Sequence, residues 1–167
     1  ISRLKEEFEN LYSETGRKVV VCMVGDHCPS FMPSMNSSLD EKEKTLAHHT
    51  TPYFIRANFP IETDYPNTDV VDLCDLVPLT LRTAGIPLSA YHSAVLDMLD
   101  SGVSVHTDIY RGYNGLESQT YMTDDGEVHD IREETELSEK VRLYYSMDYN
   151  NAVNNSKVRD DLFLAGE

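Results

Sequence analysis

Asp26 and His27 stand side by side just after Gly25, which closes a run of six apolar residues, Val19 to Val24. A carboxylate and an imidazole are ligands for divalent transition metals, and the combination favours zinc, manganese or iron over calcium. Inside a strand two neighbouring side chains face opposite sides of the sheet. Beyond the strand's end a glycine frees the backbone, and both can turn toward one ion. A metal takes about four to six ligands, so two residues are half a site. The alternative is structural: Asp26 caps a turn and His27 packs on a loop.

Other residues invite the same question. His48 and His49 are adjacent; on a helix their side chains diverge by about 100°, so they read as solvated residues rather than joint ligands. Cys28 follows His27 and is read as shaping the loop before Pro29, with a soft metal ligand as the alternative. Cys22 lies within the apolar run and reads as a small core residue. With Cys74 these are all the cysteines. Their odd number and the lack of a C-x-x-C spacing fit neither a disulfide framework nor a zinc knuckle.

The elements that must hold Asp26 and His27 follow from the pattern around them. Ser2 to Thr15 reads as a helix, with Leu4, Phe8 and Leu11 at helical spacing and Gly16 as its stop. Val19 to Val24 then reads as a strand buried on both faces. Asp40 to His48 forms a short charged helix, and Pro52 to Phe59 a second strand beside the first. Asp72 to Ala84 reads as a helix in which Asp75 is the N-cap and Pro78 falls in the first turn. Gly85 ends it, Ser89 caps the next helix, Ala90 to Asp100, and Gly102 ends that. Val103 to Tyr110 alternates as a half-buried strand. Thr120 to Ile131 is a hairpin turning at Asp124-Asp125-Gly126. Glu136 to Val153 is a final helix. Residues 154–167 form a tail that either docks Leu162-Phe163-Leu164 or stays mobile. This is an α/β domain with a small antiparallel meander.

Composition narrows the partners. The 167 residues carry 29 acids against 14 bases, a formal charge of −15. No basic stripe exists to neutralise phosphates, which argues against nucleic acid and against an anionic membrane surface. A phosphate-bearing substrate remains compatible if a metal supplies the positive charge. Mean hydropathy is −0.42, and no run has the length and apolarity of a membrane span or a signal peptide. The abrupt entry into a helical pattern at Ile1 reads as a piece of a longer chain.

Three ordered stretches carry a resemblance: Val24-Gly-Asp-His-Cys-Pro-Ser-Phe31 after the apolar run, Thr51-Pro-Tyr-Phe-Ile-Arg-Ala-Asn-Phe59, and Asp75-Leu-Val-Pro-Leu-Thr-Leu-Arg-Thr-Ala-Gly-Ile-Pro-Leu-Ser-Ala-Tyr91. Together they resemble the C-terminal part of the alkaline-phosphatase/sulfatase superfamily, and within it the lipoteichoic-acid-synthase type of phosphoglycerol transferase. The resemblance spans residues 1–150. It implies the C-terminal half of a three-layer fold, with core strands, flanking helices and a small antiparallel hairpin. It implies that Asp26 and His27 ligate a catalytic divalent ion, manganese first, with zinc or magnesium as alternatives. It implies that the nucleophile, a threonine, and the other ligands lie in an N-terminal half, the expected partner; no catalytic residue is expected in this chain. Thr50 and Thr51 are accordingly not assigned as nucleophiles. Arg56 stands where the family often has tryptophan and is a candidate phosphate contact. The substrate would be a phosphoglycerol lipid, and the parent would sit on the outer face of the plasma membrane. Two alternatives stay open: a sulfatase or phosphodiesterase of the same superfamily, and a non-catalytic acidic α/β binding module.

Overall fold

A computed structural model describes residues 2–28, 38–61, 69–106, 119–152 and 159–164. The chain is mixed α/β. Helix α1 (Ser2–Thr15) leads into strand β1 (Val20–Val24); helix α2 (Glu41–His49) follows, then strand β2 (Tyr53–Ala57). A 3-10 turn (Leu73–Asp75) opens α3 (Leu76–Ala84), and α4 (Ala90–Asp100) comes next. Strands β3 (Val103–Val105), β4 (Thr120–Thr123) and β5 (Val128–Asp130) precede the long α5 (Glu136–Ala152) and the short α6 (Asp160–Phe163). None of the helices among the described residues is long and apolar enough to cross a membrane.

β1 and β2 pair antiparallel, from Val20 opposite Ala57 to Val24 opposite Tyr53. Asn58 fastens this pair to α1. Its carbonyl accepts from Val19 N at 2.8 Å, and its amide donates to Phe8 O and Arg17 O, each at 3.1 Å. Ile55, on one face of the pair, packs against Leu79, Leu96 and Leu99 from α3 and α4. On the other face Met23 and Phe54 are exposed. The apolar run therefore does not form a strand buried on both faces here: a two-stranded ribbon with one packed face leaves the other open to solvent.

The main core joins α4, α5 and the second sheet through Val95, Met98, Val103, Tyr121, Val141 and Tyr144. Each large apolar side chain removed from water in this way contributes about 1.5–3 kcal/mol. The second sheet has the order β3-β4-β5, all antiparallel. The β4–β5 hairpin turns where the sequence places it. Gly126 takes φ 80°, the left-handed region, and donates to Thr123 O at 2.8 Å. The strand expected to alternate from Val103 is three residues long within the described region, and all three are buried. A register shift between Val103 and Val105 re-aims the second valine. Val103 joins the main core, while Val105 joins Met122, Leu46 and Val70. The rest of the expected strand, residues 107–110, lies outside the described residues.

The helix boundaries match the caps read from sequence, with one exception. Ser89 accepts from His92 N on α4, and Gly85 takes φ 68° at the end of α3; Asp40 and Glu43 add an unread capping box on α2. Asp75 is not the N-cap of α3: Asp72 caps the 3-10 turn before it, and the buried Asp75 carboxylate accepts from Asp72 N as the other half of that capping box. Of the tail, Phe163 lies 5.2 Å from the Tyr91 ring centroid, whereas Leu164 is exposed.

Candidate metal-ligating pair

Asp26 and His27 emerge just past the last paired residue of β1. The backbone on either side of them is tied down. Gly25 N donates to Pro52 O at 3.0 Å, and Thr51 Oγ1 donates to Gly25 O at 2.9 Å. A side chain at Gly25 would bring its Cβ within 3.0 Å of Thr51 Cβ. The glycine is therefore needed for close approach of the 51–52 backbone; its φ is not positive. On the other side, Cys28 Sγ donates toward Thr50 O at 2.8 Å and Ala47 O at 3.1 Å. These carbonyls sit at the C-terminal end of α2, where no further turn supplies donors.

Between these anchors the two side chains face each other. Asp26 Oδ1 accepts from His27 N at 3.0 Å, and Oδ2 lies 3.5 Å from His27 Nε2. His27 Nδ1 lies 2.9 Å from Cys28 O. A carbonyl oxygen only accepts, so Nδ1 carries the proton. In a neutral imidazole Nε2 then carries the lone pair, 3.5 Å from the carboxylate. Two lone pairs at that separation repel unless a proton or a cation lies between them. Two ligand atoms about 2.1 Å from a tetrahedral ion are about 3.4 Å apart, so the observed spacing fits a shared metal. The side chains are 76% exposed for His27 and 89% for Asp26, so an ion can reach both. Among the described residues no group of three or more His, Cys, Asp or Glu side chains is placed to hold a metal.

The remaining sequence candidates separate. Arg56 is opposite Val21 in the register, three positions before Val24, or about 10 Å along the strand. Its guanidinium pairs with Glu9 of α1. The structure thus does not bring Arg56 to Asp26 and His27. His48 and His49 are both exposed at the end of α2. His49 borders a cleft of about 230 Å³ that is also lined by Val24, Thr51, Tyr53, Asp69 and Leu76. Thr50 Oγ1 donates to Leu46 O at 2.7 Å, so both local threonine hydroxyls are engaged in holding the loop. Cys22 is half-buried, and the three cysteines are free thiols.

A second Asp–His pair escaped the sequence reading. His106 Nε2 lies 3.0 Å from Asp75 Oδ1, with the two side chains 1% and 0% exposed. Asp75 Oδ2 accepts from Asp72 N at 2.8 Å, and Asp72 Oδ2 accepts from His106 N at 3.2 Å. Tyr145 donates to His106 O at 2.6 Å, and the Tyr144 ring meets the imidazole edge-on at 4.4 Å. Burial pulls the His106 value down, yet the hydrogen bond to Asp75 and the charges of Asp72, Asp75 and Asp148 carry it above that of an ordinary histidine. Burial pushes Asp75 up from the usual carboxylate range. Among the described residues His106 Nδ1 is buried without a hydrogen-bond partner. Only the acidic spacing Asp72-x-x-Asp75 hinted at the cluster, and it reads equally well as a helix start.

Comparison of the chain with models of protein families, with curated proteins and with solved structures finds no match.

Proposed function

We propose that this chain is the C-terminal part of a metal-dependent phosphoglycerol transferase of the alkaline-phosphatase/sulfatase superfamily, acting in cell-envelope polymer synthesis. In this reading it lends Asp26 and His27 to a divalent ion, manganese first. The observation that carries the reading is the approach of Asp26 Oδ2 and His27 Nε2 to 3.5 Å at an open strand end. The likeness of the three motifs to that family supports it.

The bound ion would lower the pKa of an attacking hydroxyl and stabilise charge on the phosphoryl oxygens. Asp26 brings the negative charge that neutralises the site. His27 brings a lone pair whose direction is set by the Nδ1–H bond to Cys28 O. The nucleophile and the remaining ligands would come from the N-terminal half of the parent, which would sit on the outer face of the plasma membrane. Arg56, held by Glu9, has no substrate role in this scheme.

The test is a manganese titration of the intact parent protein, wild type against Asp26→Ala, with phosphoglycerol transfer followed in parallel. The reading expects loss of both metal uptake and transfer in the variant. Equal uptake and activity would remove the ligand role and leave an acidic α/β binding module.

A further inference from the structure

We propose that Cys28 is a positioning residue for the metal-ligating pair, and that its thiol, not only its backbone, keeps His27 in a ligand-ready state. This rests on the reading of Asp26 and His27 as ligands. Both side chains are solvent-exposed, and no packing contact holds them among the described residues. Their order must come from the flanking anchors. On the Gly25 side the anchor is backbone pairing with Pro52 and the Thr51 hydroxyl. On the other side it is a single side chain, Cys28, whose one thiol proton is shared between Thr50 O and Ala47 O.

The consequence for chemistry runs through the carbonyl of the same residue. Cys28 O is the acceptor for His27 Nδ1. Fixing residue 28 to the end of α2 fixes that oxygen, which in turn holds the proton on Nδ1 and leaves Nε2 with a free lone pair, 3.5 Å from Asp26 Oδ2. A freely rotating imidazole favours the opposite tautomer, with the proton on Nε2, which cannot bind a metal through that atom. Outer partners that orient a ligating histidine typically govern about 10–100-fold in metal affinity. Cys28 would act at that level without touching the ion, in contrast to the soft-ligand alternative.

The experiment uses the 167-residue chain with Cys28→Ala, Cys28→Ser, Cys28→Val, Thr51→Val and wild type. Long-range proton–nitrogen NMR reads the His27 tautomer without metal, amide shifts of β1 and β2 report folding, and Mn²⁺ line broadening at residues 26–27 gives the affinity. The expected result is an Nδ1–H tautomer in wild type and Cys28→Ser. Cys28→Ala should gain the Nε2–H form and bind Mn²⁺ about 10-fold more weakly. Thr51→Val loosens only the Gly25 anchor and should leave the tautomer as in wild type, which separates the thiol's effect from a general loosening. Cys28→Val, which fills the same space without a donor, carries the test if Cys28→Ala fails to fold. A folded Cys28→Ala that keeps the wild-type tautomer overturns the proposal. Loss of the tautomer in Cys28→Ser as strongly as in Cys28→Ala also overturns it, because the donor would then be irrelevant. Should no variant nor wild type broaden with Mn²⁺ while the tautomer still follows the thiol, the positioning role stands; this chain supplies only half the ligands, so the titration of the intact parent decides the metal reading.

Discussion

Asp26–His27 and Asp75–His106 pair the same two functional groups at similar range, 3.5 Å and 3.0 Å, in opposite surroundings. The first is almost wholly in water, and among the described residues its side chains hydrogen-bond only to the local backbone, Asp26 Oδ1 to His27 N and His27 Nδ1 to Cys28 O. The second is sealed between the 3-10 turn, β3 and α5, with its imidazole against Tyr144 and its backbone held by Asp72 and Tyr145. The difference separates two uses of one chemistry. An exposed pair has little electrostatic worth to the fold, because water screens it. What it can do is receive something from outside. A buried pair cannot receive anything, but removal of either partner strands a charge in the interior. Access therefore decides which pair is a candidate site, although the buried pair has the shorter contact.

The largest expected effect tests this directly. Asp75→Ala leaves His106 buried without its partner and should lower unfolding stability by about 3–5 kcal/mol. Asp26→Ala should stay within about 0.5 kcal/mol of wild type, as exposed substitutions do. Urea denaturation of the two variants measures both. Comparable losses would mean that the Asp26–His27 pair is structural, and the distinction between the regions would fail.

The sequence made one pair visible and hid the other for a physical reason. Asp26 and His27 are neighbours after an apolar run, so proximity is written into the chain. Asp75 and His106 are 31 positions apart and meet only once α3, α4 and β3 have folded. Local elements were legible where Gly85, Ser89 and Gly126 end or begin them as their chemistry requires, whereas the equally local Asp40–Glu43 capping box went unread. Asp75 read as a cap because a carboxylate before Leu76 and Pro78 has that local meaning, and the competing tertiary bond is silent in sequence. The apolar run Val19 to Val24 was legible as a strand, but its exposed face was not. Composition reports what a strand could bury, not what is present to cover it.

The second prediction concerns metal. Mn²⁺ should broaden the amide resonances of residues 25–28 and leave those of residues 72–75 and 104–106 sharp, because the buried pair is closed to ions. Asp26→Asn should weaken the broadening at least 10-fold. Broadening centred on the buried pair would reverse the assignment of roles.

The third is a pH dependence confined to the interior. His106 is raised above its ordinary value, so its contribution to stability is complete below about pH 6.5 and is lost as pH rises through the elevated value. Asp75 is raised as well, so its term has the same sign in the acid range: it favours the fold at low pH and fades as the carboxyl ionises. The groups facing the imidazole are Asp72 and Asp75 from the turn, and Asp148 and Tyr144 from α5. The urea midpoint of wild type should therefore fall from pH 6.5 toward pH 9. His106→Gln should start lower and run flatter over that window, whereas Asp26→Asn should track wild type. A wild-type midpoint that climbs over the same window would contradict the upward shift of His106.

The smallest effect concerns Arg56, the one cation placed by sequence near the proposed chemistry. Its partner Glu9 is on α1, and the two side chains are 46% and 49% exposed. An exposed pair of this kind is worth about 0.2–1 kcal/mol. Arg56→Ala should cost no more than that in urea denaturation, and Glu9→Ala the same, with the double variant no worse than either because one interaction is removed in all three. Mn²⁺ broadening at residues 26–27 should be unchanged, since the register sets Arg56 three strand positions away from the open end. A loss of phosphoglycerol transfer in the parent carrying Arg56→Ala, with Glu9→Ala fully active, would show the guanidinium leaving its helix partner for a phosphate. The division between a fold-holding interior and a ligand-facing strand end would then have to extend down the exposed face of β2.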